Sequence, residues 1–129
     1  MRHWLLSIAL LASRSPSFAY DPVRARDNFA HEAIECSAYF MLASAVPSLD
    51  AQTVKALRDR FSVLFDLSVS LTSEELTKAR FQLAEKGMFR DLNGSWSNLA
   101  IVSNKYAYPC TDLVKDPQTR LKYWMDKKD

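Results

Sequence analysis

The sequence predicts an all-α fold, a bundle of four or five helices following a cleaved export segment and held by one disulfide. Three observations carry that prediction. Glycine is scarce, with only Gly87 and Gly94 in 129 residues, too few for a fold rich in tight β-turns. Apolar residues recur at three- and four-residue steps over long stretches, the period of a helix with one buried face. The stretches are joined by short connections, which favours antiparallel neighbours packed as a bundle.

The first segment is an address rather than part of the fold. Met1-Arg2-His3 is a basic start, Trp4 to Ala12 is apolar, and Ser13 to Ala19 is small and polar, ending Ser17-Phe18-Ala19. This is the three-part layout of a secretory signal peptide, with the cut expected before Tyr20. The apolar run is far shorter than the roughly 20 residues a membrane-spanning helix needs, and Pro16 interrupts any extension of it. Residues 1–19 are therefore read as a signal peptide, and residues 20–129 as a single helical domain, exported to the periplasm or secreted. No later stretch is long and apolar enough to span a bilayer.

Export changes the charge. Arg2 and Arg14 leave with the signal, so the 17 Lys+Arg fall to 15, level with the 15 Asp+Glu. Nucleic-acid binding draws on clustered positive charge, and only Lys127-Lys128 and scattered arginines remain, which disfavours it.

The helices follow in order. Tyr20-Asp21-Pro22 opens the first: Asp can cap, and Pro suits the first helical position. Phe29, Ala33, Cys36 and Phe40 form its stripe, widened by Ala30, Ile34, Met41, Leu42 and Ala45, and it should end near Val46-Pro47. Asp50 caps the second, which carries Val54, Leu57, Phe61, Leu64, Leu67 and Leu71, with Leu49 and Val54 spaced as a hydrophobic staple. Thr72 and Glu75 have capping-box spacing, flanked by Leu71 and Leu76, and open a third helix. Its expected apolar face is Leu76, Ala79, Leu83 and Met88, and Asn93-Gly94 ends it. Ser95 caps a fourth helix, with Trp96, Leu99, Ala100, Val102 and Tyr106, which Pro109 is expected to stop. Asp116-Pro117 opens a last helix carrying Leu121, Trp124 and Met125.

Two cysteines, Cys36 and Cys110, sit in a chain bound for an oxidising compartment, and their simplest fate is to pair with each other. In the chain-entropy model, closing so long a loop is worth roughly 4–5 kcal/mol as an upper figure. Redox-active pairs use close Cys-x-x-Cys spacing, which is absent.

Motifs for chemistry are sparse. Asp27, His31 and Glu35 share one helix face, a candidate for weak surface metal binding. The competing reading is a solvated face with His31–carboxylate pairs worth about 0.2–0.5 kcal/mol. A zincin helix needs two histidines four apart, and here Glu35 holds the second position. There is no nucleophile elbow, phosphate-cradling glycine loop or haem-attachment motif, and no cofactor is implied. Arg58, Arg60, Lys78 and Arg80 are candidates by type for holding an anionic metabolite, against the plainer reading of a charged outer face. The C-terminal third is rich in aromatics. Trp96 and Trp124 are expected in the core. Tyr106 and Tyr108, beside Pro109 and Cys110, are the better surface candidates, and with Tyr123 they form the candidate partner surface.

Glu35-Cys36-Ser37-Ala38-Tyr39-Phe40 resembles small exported bacterial helical proteins that carry a Glu-Cys-Ala-Ala-Tyr-Phe-like helix, a group to which no activity attaches. Size, export, helicity and a disulfide also make the chain similar to the periplasmic acid-stress chaperones and to the helical immunity proteins of toxin systems. Cys110-Thr111-Asp112 through Trp124 to Lys127-Lys128 resembles the acid chaperone's second cysteine and final helix.

The leading expectation is a non-enzymatic exported protein that binds another protein or a small ligand, an immunity or inhibitor role being one form of it. A small helical enzyme acting on an anionic metabolite comes second and requires converging basic side chains. An acid-stress chaperone comes third and requires loss of structure near pH 2–3 as native carboxylates protonate.

Overall fold

A computed structural model describes residues 21–128; the signal peptide expected over residues 1–19 lies outside the described residues. Five α-helices follow one another: α1 (Pro22–Ser44), α2 (Ala51–Leu71), α3 (Glu74–Leu92), α4 (Leu99–Lys115) and α5 (Pro117–Asp126), with a 3-10 turn, Trp96–Asn98, leading into α4. No strand occurs among the described residues.

α1 is the hub and touches every other helix, α2 most broadly. Asp21 opens it by accepting the Val23 amide at 2.7 Å, with Pro22 in its first turn. The expected stripe of Phe29, Ala33, Cys36 and Phe40 is buried, and so are Ala25, Ala30, Ile34, Ser37, Ala38, Tyr39 and Leu42. Five successive buried residues, Cys36 to Phe40, mean that the middle of α1 is covered all round, as befits a central helix. Its many small residues let neighbours approach closely. Ser37 is buried without penalty because its Oγ donates to the Phe61 carbonyl at 2.8 Å, across to α2.

Asp50 caps α2 as the sequence predicts, accepting the Thr53 amide at 2.7 Å and the Thr53 hydroxyl at 2.9 Å. Leu64 and Ser68 are buried, with Leu57, Phe61, Leu67 and Leu71 packed on the core. Phe61, Phe65 and Phe81 form a cluster joining α2 to α3, with centroids 5.6–5.9 Å apart and the Phe81 ring edge-to-face with the other two.

The α2–α3 corner departs from expectation. Ser73, not Thr72, is the cap of α3, accepting the Leu76 amide at 3.1 Å. Thr72 still belongs to the end of α2, where its hydroxyl donates to the Ser68 carbonyl at 2.8 Å. Thr72 and Thr77 therefore occupy the two positions a hydrophobic staple would use, and meet through hydroxyls 3.4 Å apart. Ser68 and Thr77 complete a buried polar knot at 3.0 Å.

The buried face of α3 also differs. Leu76 and Leu83 are exposed, at 38% and 70%. Thr77, Met88 and Leu92 are buried, with Phe81 and Ala84 packed beside them. Their spacing of three and four residues is helical, but the run starts at a polar residue whose burial depends on the Ser68 hydroxyl. Arg80, on the same side, reaches α1 and forks both Asp27 oxygens at 2.9 and 3.0 Å. Asn93 and Gly94, at φ +46° and +75°, close α3 as expected.

Three further expectations fail around α4. Ser95 caps the 3-10 turn, accepting the Ser97 amide, and Trp96 is 36% exposed rather than core. Pro109 lies inside α4 and does not stop it. The ring removes one backbone donor and crowds the preceding turn, at about 3 kcal/mol. Packing on both sides outweighs that: Val102, Cys110 and Leu113 are buried, and Tyr106 stacks on Tyr39 with centroids 6.0 Å apart. Cys36 and Cys110, 74 residues apart in sequence, form the disulfide that ties α4 to α1.

α5 is the lightest element. Asp116 ends α4 and caps α5, accepting the Thr119 amide and hydroxyl. No α5 residue is fully buried; Leu121 and Trp124 pack at the core margin, so Trp124 is half-buried rather than enclosed.

Candidate functional site

Between α1, α4 and α5 lies an open cleft of about 1010 Å³. Each wall follows from the elements above. α1 contributes Glu32 and Glu35, one turn apart and beside Cys36. α4 contributes Lys105, Tyr106, Tyr108 and Asp112, and α5 contributes Thr119, Arg120 and Tyr123. The disulfide lies at the join of α1 and α4, its cysteines 5% and 1% exposed, so it holds two walls together while scarcely meeting solvent.

All three tyrosines singled out by the sequence, Tyr106, Tyr108 and Tyr123, line this cleft. They differ in setting. Tyr106 is half-buried against Tyr39. Burial pushes its phenol above the usual tyrosine range, and the negative charge of Glu35 adds to the effect. Tyr108 stands out from α4 at 77% exposure. Tyr123 is 46% exposed and lies under the Arg120 guanidinium, whose carbon is 4.1 Å from the ring centroid.

Arg120 is the residue the sequence did not flag. Its guanidinium forks the Glu32 carboxylate, Nε donating to Oε2 at 2.7 Å and Nη2 to Oε1. It also lies 5.3 Å from the Trp124 ring. The carboxylate holds the guanidinium pKa above its ordinary value. These partners are 88 residues apart, so no local pattern announces the pair.

The other candidates resolve differently. Asp27, His31 and Glu35 are not gathered into one site: Asp27 is taken by Arg80, while His31 Nε2 meets Glu35 Oε1 at 2.7 Å. Among the described residues no group of three His, Cys, Asp or Glu is placed to hold a metal ion. Of the four basic candidates for an anionic ligand, Arg80 is on Asp27, Lys78 pairs with Glu74 at 2.8 Å, and Arg60 lies over the Phe40 ring at 5.3 Å. None of the four, Arg58 included, lines the cleft. No helix among the described residues is long and apolar enough to cross a membrane.

Tyrosines offer large rigid faces with polar tips, and the surrounding carboxylates and cations offer directional contacts. No family model, curated protein or solved structure matches this chain.

Proposed function

We propose that this is an exported, non-enzymatic binding protein whose cleft between α1, α4 and α5 takes a protein or a small ligand. One observation carries the reading: three tyrosines from α4 and α5 converge on a single open cleft whose α1–α4 join is covalently pinned. Tyrosine supplies much contact area for little lost side-chain freedom, which is why it recurs at binding hot spots. Inhibition of, or immunity to, an effector met outside the cytoplasm is one form such binding takes.

Affinity capture of the tagged, exported protein, read by mass spectrometry, tests this. A partner retained by the wild type and lost with Tyr108→Ala is the expected result. Because Tyr108 is 77% exposed, its truncation should change stability by no more than about 0.5 kcal/mol. A partner retained equally by both proteins places binding elsewhere. The same sample reports the N-terminus, expected at Tyr20.

A further inference from the structure

Resting on the binding reading above, we infer that the occupant of the cleft is an extended polypeptide segment bearing arginine or lysine side chains. The cleft already holds one such group. Arg120 sits with its guanidinium forked on Glu32 and stacked over Tyr123, which shows the chemistry this wall accepts: a carboxylate at the edge and an aromatic face beneath. The adjoining part of the cleft offers the same two pieces, an aromatic face and a carboxylate. Tyr108 and Asp112 are four residues apart on α4, hence on one helix face, and both are exposed. Asp112 forms no ion pair among the described residues. Across from them, Glu35 presses its charge on Tyr106 and keeps one oxygen toward His31.

The charge balance points the same way. The lining holds four carboxylates, Glu32, Glu35, Asp112 and Asp116, against three cations, Lys105, Lys115 and Arg120. Arg120 is spent on Glu32, and Lys105 is turned to Asp91 of α3, outside the lining, at 2.7 Å. Lys115 is the remaining cation of the lining, against Asp112, Glu35, which also meets His31, and Asp116, which also caps α5; the lining keeps a net excess of one carboxylate and so favours positive charge. Its size favours a chain over a metabolite: about 1010 Å³ is at the top of the roughly 300–1,000 Å³ range of small-molecule sites.

The test uses the full exported protein and three fluorescent peptides of equal length: Arg alternating with Leu, and the same peptide with Gln or with Glu in place of Arg. Fluorescence anisotropy should show saturable binding of the Arg peptide, at least about tenfold tighter than the Gln peptide and weakened by added salt. Asp112→Asn should weaken it by about three- to tenfold, and Asp112→Lys should shift preference toward the Glu peptide. Tyr108→Ala should weaken the Arg peptide with an unchanged thermal melt by circular dichroism. Spermine, a polyamine without peptide backbone, should compete only weakly. Equal binding of the Gln and Arg peptides, both lost with Tyr108→Ala, would overturn the charge preference while leaving the cleft a binding site. Tight spermine binding without any peptide preference, or no response to either Asp112 variant, would overturn it as well. Absence of any peptide binding overturns this inference alone, because partner capture tests the cleft independently.

Discussion

Ser48 shows how a single residue can be read against its backbone. It has φ +73° in the link between α1 and α2, a conformation that costs a non-glycine residue roughly 1–2 kcal/mol. Glycine would remove that strain but lose about 0.5–1 kcal/mol of unfolded-chain entropy. Ser48→Gly should therefore stabilise the protein by about 0.5–1 kcal/mol, measured by urea unfolding. Tyr106 makes the second residue-scale prediction. Its phenol is raised by burial and by Glu35, so the folded state holds that proton more tightly than the unfolded chain does. The resulting stability is fully present below the ordinary tyrosine value and is lost as pH rises through the folded one. Alkaline titration followed at the phenolate absorbance should show a late-ionising tyrosine that Tyr106→Phe removes. The capping aspartates run the other way. Thr119 hydrogen bonds hold Asp116 below its usual range, as Thr53 does for Asp50, so what these caps add is present above that range and fades in acid.

At the scale of elements, the sequence was most legible where a helix has one uninterrupted apolar stripe. The α1 stripe of Phe29, Ala33, Cys36 and Phe40 is buried, and Leu57, Phe61, Leu64, Leu67 and Leu71 of α2 pack in the core, whereas Ala45 lies past the end of α1 and is exposed, and Val54 is only half-buried. The α3 face was not legible, for a physical reason: the residue that starts its buried row is Thr77, polar by type and buried only because Ser68 meets its hydroxyl. Leu76 and Leu83 look more apolar and face solvent. The row that packs on the core runs instead through Phe81, Ala84, Met88 and Leu92. Pro109 misled in the opposite sense, since a local penalty was outweighed by Cys110, Leu113 and the Tyr39–Tyr106 stack, none of which is local. α5 is the element held most lightly. It has no fully buried residue and is tied to α1 through Arg120 and Glu32. That pair is partly exposed, so screening trims it to about 1 kcal/mol. Arg120→Ala should speed amide hydrogen exchange in α5 about fivefold, while α1 and α2 keep their protection.

For the whole molecule, Cys36–Cys110 organises both stability and site. It joins the hub helix to α4 and lies beside the cleft. Replacing both cysteines by alanine should cost about 2–5 kcal/mol in urea unfolding, the range for a native disulfide closing a long loop. The pairing itself could be read from the count of two cysteines together with the expected export. The cleft could not, because Glu32, Tyr106 and Arg120 come from three helices far apart in sequence, and only packing brings them together. Two tyrosines drew attention through their place beside Pro109 and Cys110; Arg120 offered no comparable signal.

Binding is proposed to occur in the cleft between α1, α4 and α5. Site-specific photocrosslinking tests it most directly, with the photoreactive residue placed in turn at Tyr108 and Tyr123 in the cleft, and at Val63 on α2 and Leu83 on α3, both exposed and outside it. One common crosslinked product is expected from positions 108 and 123, and none of that mass from 63 or 83. The same product from Val63 or Leu83, with none from the cleft positions, would contradict it.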